Sequence, residues 1–87
     1  NFSYTYSGSD ALAPLQVFDD GQYTYLKYPP LSEPLPEAFI LDRNGQVASV
    51  SREMRGDYMV VHTVAPEMIL KNTSGSVHVY NEAALAP

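Results

Sequence analysis

Apolar and polar residues alternate with a period of two from the first residues of this chain to about position 80, and no stretch of helical length shows a 3.6-residue pattern. Phe2, Tyr4 and Tyr6 fall on one face of a first strand, with Ser3, Thr5 and Ser7 on the other. The sequence SGSD at 7–10 then reads as a turn. Leu15 to Phe18 and Gln22 to Tyr28 read as the second and third strands. The turn between them is Asp19-Asp20-Gly21, where Asp side chains can bond local backbone and Gly accepts positive φ. The proline-rich stretch 29–36, PPLSEPLP, cannot donate a regular ladder of backbone hydrogen bonds. It predicts an extended, exposed connection carrying the chain from one sheet to another, because neighbours in a meander need far shorter loops.

Ala38 to Leu41 is a continuous apolar run, the pattern of a strand covered on both faces, and Asp42 to Gly45 closes it with a turn. Gln46 to Arg52 reads as one strand, in which Val47 and Val50 cannot both point inward without a bulge. Arg55-Gly56-Asp57 turns the chain into a strand with Tyr58, Val60, His62 and Val64 on one face and Met59, Val61 and Thr63 on the other. Both faces are apolar, which predicts a central position. Ala65-Pro66 breaks it, Met68 and Leu70 lead a further short strand or helical turn, and Ser76 to Tyr80 is the last strand, with Val77 and Val79 on one side. About eight short strands bounded by glycine and proline signals predict an all-β fold, a small antiparallel β-sandwich. Residues 1–81 are expected to form one such domain, part of a longer protein, and 82–87 a flexible C-terminal tail.

Composition narrows the function classes. The chain has 87 residues, 45% of them hydrophobic, enough for one small core. Ten acidic residues against five basic ones give a net charge of −5, which argues against nucleic acid and anionic membrane surfaces as partners. The absence of cysteine excludes disulfides, thiolate zinc sites and cysteine nucleophiles within this segment. No apolar run approaches the roughly 20 residues that span a bilayer.

The candidate catalytic and metal-binding patterns all have a plainer reading. Asp19 and Asp20 are adjacent carboxylates, but adjacent residues in a hairpin point different ways and Asp before Gly is favoured as a turn former. Asp42, Asn44 and Glu53 echo a calcium loop, yet Val47 stands where its sixth-position glycine belongs and Gln46 replaces the third ligand. His62 and His78, the two histidines, have no carboxylate at metal-ligand spacing. No serine sits in a nucleophile-elbow context. Arg55-Gly56-Asp57 matches an adhesion tripeptide but is what a hairpin needs. Asn1-Phe2-Ser3 and Asn72-Thr73-Ser74 fit the glycosylation acceptor pattern, which is common by chance. No enzyme, cofactor or metal is expected. The seven tyrosines cannot all be buried cheaply, since each hydroxyl needs a partner. They predict either an amphipathic docking surface or cross-strand stacking on a solvated face.

The order of short motifs carries a family resemblance. Pro14-x-x-Val17-Phe18-Asp19-Asp20-Gly21-x-x-Thr24-Tyr25 is followed by Phe39, Asp42-x-x-Gly45, Arg55-Gly56-x-Tyr58-x-Val60-Val61, Leu70 and Val77-x-Val79-x-Asn81. This resembles the C-terminal domain of the CagX/TrbG/TraO-type proteins, the ninth VirB subunit of type IV secretion systems, over nearly the whole chain. Ala65-Pro66 and the polar stretch Lys71 to Gly75 depart from the family pattern.

The resemblance implies a periplasmic β-sandwich associated with the bacterial outer membrane, a non-enzymatic structural subunit of an outer-membrane core complex for conjugation or effector export. Its implied partners are a short outer-membrane lipoprotein of the seventh VirB type, the inner-membrane-spanning tenth subunit and further copies in a homo-oligomeric ring. Sandwich edges carry unpaired N–H and C=O groups that accept an extended peptide as an added strand. The first strand, with Phe2, Tyr4 and Tyr6, is the first candidate edge, and the terminal strand, with Val77, Val79 and Tyr80, the second. The alternative is a secreted or surface sandwich that binds carbohydrate or adhesion ligands through exposed tyrosines.

Overall fold

The computed structural model describes residues 1–28, 36–42, 44–73 and 75–85. Nine strands form two antiparallel sheets packed as a sandwich, and the sequence reading of a small all-β sandwich holds. β1 (Tyr4–Gly8), β4 (Glu37–Leu41), β5 (Val47–Val50), β8 (Glu67–Asn72) and β9 (Gly75–Asn81) make a five-stranded sheet in the order β1-β9-β8-β4-β5. β2 (Gln16–Asp19), β3 (Thr24–Lys27), β6 (Arg52–Arg55) and β7 (Tyr58–Val61) make a four-stranded sheet in the order β2-β3-β7-β6. A single 3-10 turn, Asp10–Leu12, carries the chain from β1 to β2.

The turns form where local chemistry demands them. Asp20 Oδ1 accepts from the Gln22 and Tyr23 N–H groups at 2.9 and 2.8 Å, closing the β2–β3 hairpin. Asp42 Oδ1 likewise accepts from the Asn44 and Gln46 N–H groups at 2.8 and 2.9 Å, so its carboxylate serves the turn and not a calcium loop. Arg55 and Tyr58 are paired across a two-residue loop in which Gly56 has φ 61°, the first central position of a type II′ hairpin. β3 and β4 lie in different sheets, as expected for the two ends of the proline-rich connection. Residues 29–35 of that connection lie outside the described residues, as do Arg43, Ser74 and the last two positions. Pro36 itself is fully buried, not exposed, and its carbonyl accepts from Arg52 Nε at 2.7 Å.

Inward-facing side chains of both sheets make one core. Leu26, Met59 and Val61 from the four-stranded sheet meet Ala38, Met68, Leu70, Val77 and Val79 from the five-stranded sheet, with Leu12 and Tyr28 closing one end. Each fully buried side chain of this size contributes about 1.5–3 kcal/mol. The Tyr28 hydroxyl is satisfied by the Leu12 carbonyl at 2.7 Å. β7 lies between β3 and β6, the central position its two apolar faces predict.

Two sequence expectations are corrected. Gln46 to Arg52 is not one strand: the chain leaves the five-stranded sheet after Val50, bends at Ser51 and enters the four-stranded sheet at Arg52. Its weak alternation is the signature of that change of sheet, and Val47, at 59% exposure, lies on the outer side. Ala38 to Leu41 is an interior strand, but it is not covered on both faces: Ala38 and Ile40 face the core, whereas Phe39 and Leu41 lie half-buried on the open outer face of the sheet. After β9, Glu82–Leu85 forms one helical turn. The Glu82 N–H donates to the Ser3 carbonyl at 2.7 Å, the Thr5 hydroxyl to Glu82 Oε2 at 2.5 Å, and the Ala84 N–H to Asn81 Oδ1 at 3.3 Å.

The β1–β9 pairing depends on one glycine. Gly8 has φ 130°, and a Cβ there would lie 2.5 Å from the Ser76 carbonyl oxygen and 3.0 Å from Val77 Cα. Both obstacles are backbone, so the ladder itself must shift. Gly8→Ala is expected to destabilise the fold by more than about 1 kcal/mol and to raise amide exchange along β1 first, read by native-state hydrogen exchange.

Candidate functional site

The site is built on the side of the sandwich where both sheets end, at β1 and β2. In an antiparallel ladder each residue points its N–H and C=O together, toward one neighbour or the other. The Ser9 N–H donates to Ser76 O and the Glu82 N–H to Ser3 O, so odd-numbered residues of this segment face β9 and Tyr6 turns both backbone groups to the open side. On β2, the Asp20 N–H donates to Tyr23 O, so even-numbered residues face β3, while Val17 and Asp19 face outward. Asp19 is already engaged there: its N–H donates to the Asn1 carbonyl at 2.9 Å, and the Asn1 nitrogen donates back to Asp19 O at 2.9 Å.

Between these edges runs a groove of about 230 Å³, lined by Phe2, Tyr4, Thr5 and Tyr6 on one wall and by Pro14, Leu15, Gln16 and Val17 on the other. None of these residues is charged. Among the described residues, three of the five most exposed large apolar side chains line it: Phe2 at 69%, Leu15 at 68% and Tyr6 at 51%. The arrangement offers an extended peptide open backbone groups at Tyr6 and Val17 and apolar walls for alternate side chains, the two components of strand addition.

The candidate residues read from the sequence divide. Phe2, Tyr4 and Tyr6 come together in the groove. Val77 and Val79 do not: β9 is paired on both sides, with β1 and β8, so it is not an edge, and both valines are buried in the core. Tyr80 sits on the outer face of the five-stranded sheet, its ring 6.4 Å from that of His78. The sequence reading mistook the last strand for an edge because alternation does not encode strand order. It also missed Pro14, Leu15 and Val17, whose one signal was an apolar pair beside a proline immediately before an aromatic strand.

One end of the groove is closed by a polar cluster. Asp19, 7% exposed, accepts the Tyr4 hydroxyl at 2.7 Å and the Asn1 side-chain amide at 2.9 Å, both on Oδ2, and the Gly21 N–H at 3.0 Å on Oδ1. The Asn1 amide also donates to Asn81 Oδ1 at 2.9 Å. Burial alone would raise the Asp19 pKa, but the hydrogen bonds from Tyr4, Asn1 and Gly21 outweigh it and hold the carboxyl below its ordinary value. Burial, and then the bond to the Asp19 carboxylate, push the Tyr4 phenol well above its own.

The remaining tyrosines stack rather than form an open platform. On the outer face of the four-stranded sheet Phe18 stacks on Tyr25 at 5.0 Å and on Phe2 at 5.2 Å, and meets Tyr58 edge-on at 5.8 Å. Phe18 is thus the centre of the cluster, in contact with three other rings. His62 lies 3.1 Å from Glu53, whose carboxylate also pairs with Arg55 at 2.6 Å, and His78 lies 3.0 Å from Glu67. Among the described residues no three acidic, histidine or cysteine side chains converge as metal ligands do.

Comparison with known proteins agrees with the resemblance read from the motifs. A family model described as CagX, conjugal transfer protein, matches residues 1–82. The type IV secretion system protein PtlF of Bordetella pertussis is 30% identical over 76 residues, covering 87% of this chain and 28% of that protein. The type IV secretion system protein virB9 of Brucella suis biovar 1 is 30% identical over 89 aligned residues, covering 95% of this chain and 30% of its own length. Its namesake in Bartonella quintana is 24% identical over 82 residues. The chain thus spans less than a third of the length of these curated relatives. With a family model matched from the first residue through the last strand, and a two-sheet fold of the expected class, this chain belongs to the CagX family of conjugal transfer proteins.

Proposed function

We propose that this domain is a non-enzymatic structural part of a type IV secretion machine, and that it holds a short outer-membrane lipoprotein by accepting an extended segment of it as an added strand at β1. The observation that carries this reading is the uncharged groove between β1 and β2, with open backbone groups at Tyr6 and Val17 and exposed Phe2, Tyr6 and Leu15 along its walls. In this reading the domain sits in the periplasm at the outer membrane, in a ring of copies beside the inner-membrane-spanning subunit, a setting that its family membership supports. No helix among the described residues is long and apolar enough to cross a membrane. The outer faces and the β5–β6 side of the domain then remain for neighbouring subunits.

The test is a titration with synthetic peptides tiling the mature sequence of the cognate lipoprotein, followed by backbone amide NMR. One peptide is expected to shift Tyr6 and Val17 and their neighbours while leaving β7 unmoved. Tyr6→Pro removes an N–H that faces away from β9, so it is tolerated as proline is on strand edges. It is expected to retain the folded spectrum and weaken binding at least about tenfold. A peptide that binds equally well to Tyr6→Pro, or shifts a different edge, overturns the placement.

A further inference from the structure

The carboxylate of Asp19 does more than its hairpin requires. The turn uses one of its oxygens, Oδ1, through the Gly21 N–H at 3.0 Å, and Asp20 holds the rest of that turn through the Gln22 and Tyr23 N–H groups. The second oxygen, Oδ2, reaches across the sandwich. Its two partners, the Tyr4 hydroxyl at 2.7 Å and the Asn1 amide at 2.9 Å, both belong to the segment that leads into β1 of the opposite sheet. β1 has a hydrogen-bonded strand on one side alone, β9, and faces β2 across the groove with its other side.

We infer that Asp19 and Tyr4 form a latch that positions the β1 edge against the β2 edge and so sets the groove for an incoming strand; this rests on the strand-addition reading above. Tyr6 is two residues along β1 from Tyr4, and Val17 two residues along β2 from Asp19. Two residues are one repeat of the backbone pattern, about 7 Å, so the latch fixes the spacing of the two edges one rung from where both present open groups. Fixing that spacing beforehand removes an ordering cost that binding must otherwise meet. The short bond to a buried carboxylate suits the task, because charge-assisted hydrogen bonds are the stronger ones and lose little to solvent here. Asp19 and Tyr4 are thus positioning residues, whatever side chains of the incoming strand the groove itself touches.

The experiment uses the lipoprotein peptide that shifts Tyr6 in the wild type, with Tyr4→Phe, Asp19→Asn, the double variant and Asp20→Asn as the comparator. Tyr4→Phe removes one hydroxyl and keeps the ring that lines the groove. Each latch variant is expected to bind roughly tenfold more weakly, the size of one lost charge-assisted bond. The double variant is expected to bind no worse than the weaker single one, since both break the same bond. Amide exchange at Asp19, whose N–H bonds the Asn1 carbonyl between the two edges, is expected to rise in free Tyr4→Phe while β7 stays protected, and Asp20→Asn to leave affinity unchanged. A purely structural role predicts lost stability with unchanged affinity of the folded protein, and that result overturns the inference, as does an equal loss in Asp20→Asn. Should Asp19→Asn fail to fold, Tyr4→Phe decides alone. Should no peptide bind the wild type, the strand-addition reading falls, and unaltered exchange at Asp19 in Tyr4→Phe overturns the latch separately.

Discussion

Leu70→Ala is expected to lower the stability of this domain by about 2–5 kcal/mol, a large share of the 5–15 kcal/mol typical of a single domain. Leu70 is fully buried on β8, and on the inner face of its sheet it lies directly between Ala38 of β4 and Val77 of β9. Neither neighbour can fill the space it leaves: Ala38 is too small, and Val77 is stiff at its branched Cβ. The removed methyl groups therefore leave a cavity in addition to their lost transfer energy. In urea denaturation the midpoint should fall with the slope unchanged. Leu15→Ala is the matched control, since Leu15 is 68% exposed and its loss should stay within about 0.5 kcal/mol. Equal effects from the two substitutions would contradict the core assignment.

Alkaline pH is expected to destabilise the domain progressively from about pH 10 upward. Burial raises the Tyr28 phenol above its ordinary value of 10.0, and burial together with the Asp19 carboxylate does the same for Tyr4. A group whose folded pKa is raised keeps its contribution below its unfolded pKa and loses it as pH climbs through the interval between the two. Above pH 10 the unfolded chain releases these phenolic protons and the folded one holds them, so unfolding becomes more favourable by about 1.4 kcal/mol per pH unit for Tyr28. Tyr4, half-buried, adds less. Chemical denaturation at a series of pH values, with phenolate absorbance recorded in parallel, should show stability falling and tyrosine ionisation rising together. Tyr4→Phe should flatten the slope. A stability curve level from pH 9 to about 12 would show that both hydroxyls reach solvent in the folded state.

The turns and the central strand were legible in the sequence because their causes are local. Asp20, Asp42 and Gly56 act on backbone within a few residues, and the two-faced apolarity of Tyr58 to Val61 follows from its place between neighbours. Strand order is another matter. Whether a strand is an edge depends on which distant strands flank it, and Val77 and Val79 alternate in the same way at the end of a sheet or inside it. The fold resolves this by laying β1 outside β9, which buries the valines and leaves the first strand as the edge. Asp19 was read as a turn residue, and half of that carboxylate is one. Its other half is tied to Tyr4, 15 positions away, a partnership no spacing rule expresses. The groove was half legible for the same reason: Phe2, Tyr4 and Tyr6 advertise a strand, whereas Leu15 and Val17 gain their meaning from the strand they face.

The change of sheet at Ser51 sets how this sandwich can open. On one side the two sheets are a single covalent thread, β5 running through Ser51 into β6, with the Ser51 carbonyl further held by the His62 N–H at 3.1 Å. On the other side β1 and β2 are joined by the longer segment 9–15, and their edges are tied by hydrogen bonds through Asn1, Tyr4 and Asp19. The molecule is bound like a book, with its spine at residues 50–52 and its fore-edge at the groove. A motion that keeps the one-residue spine intact is expected to part the pages most on the groove side, where the covalent link is longer and a strand would enter. A circular permutant that cuts the chain at Ser51 would lose the spine and spread the same motion over both sides.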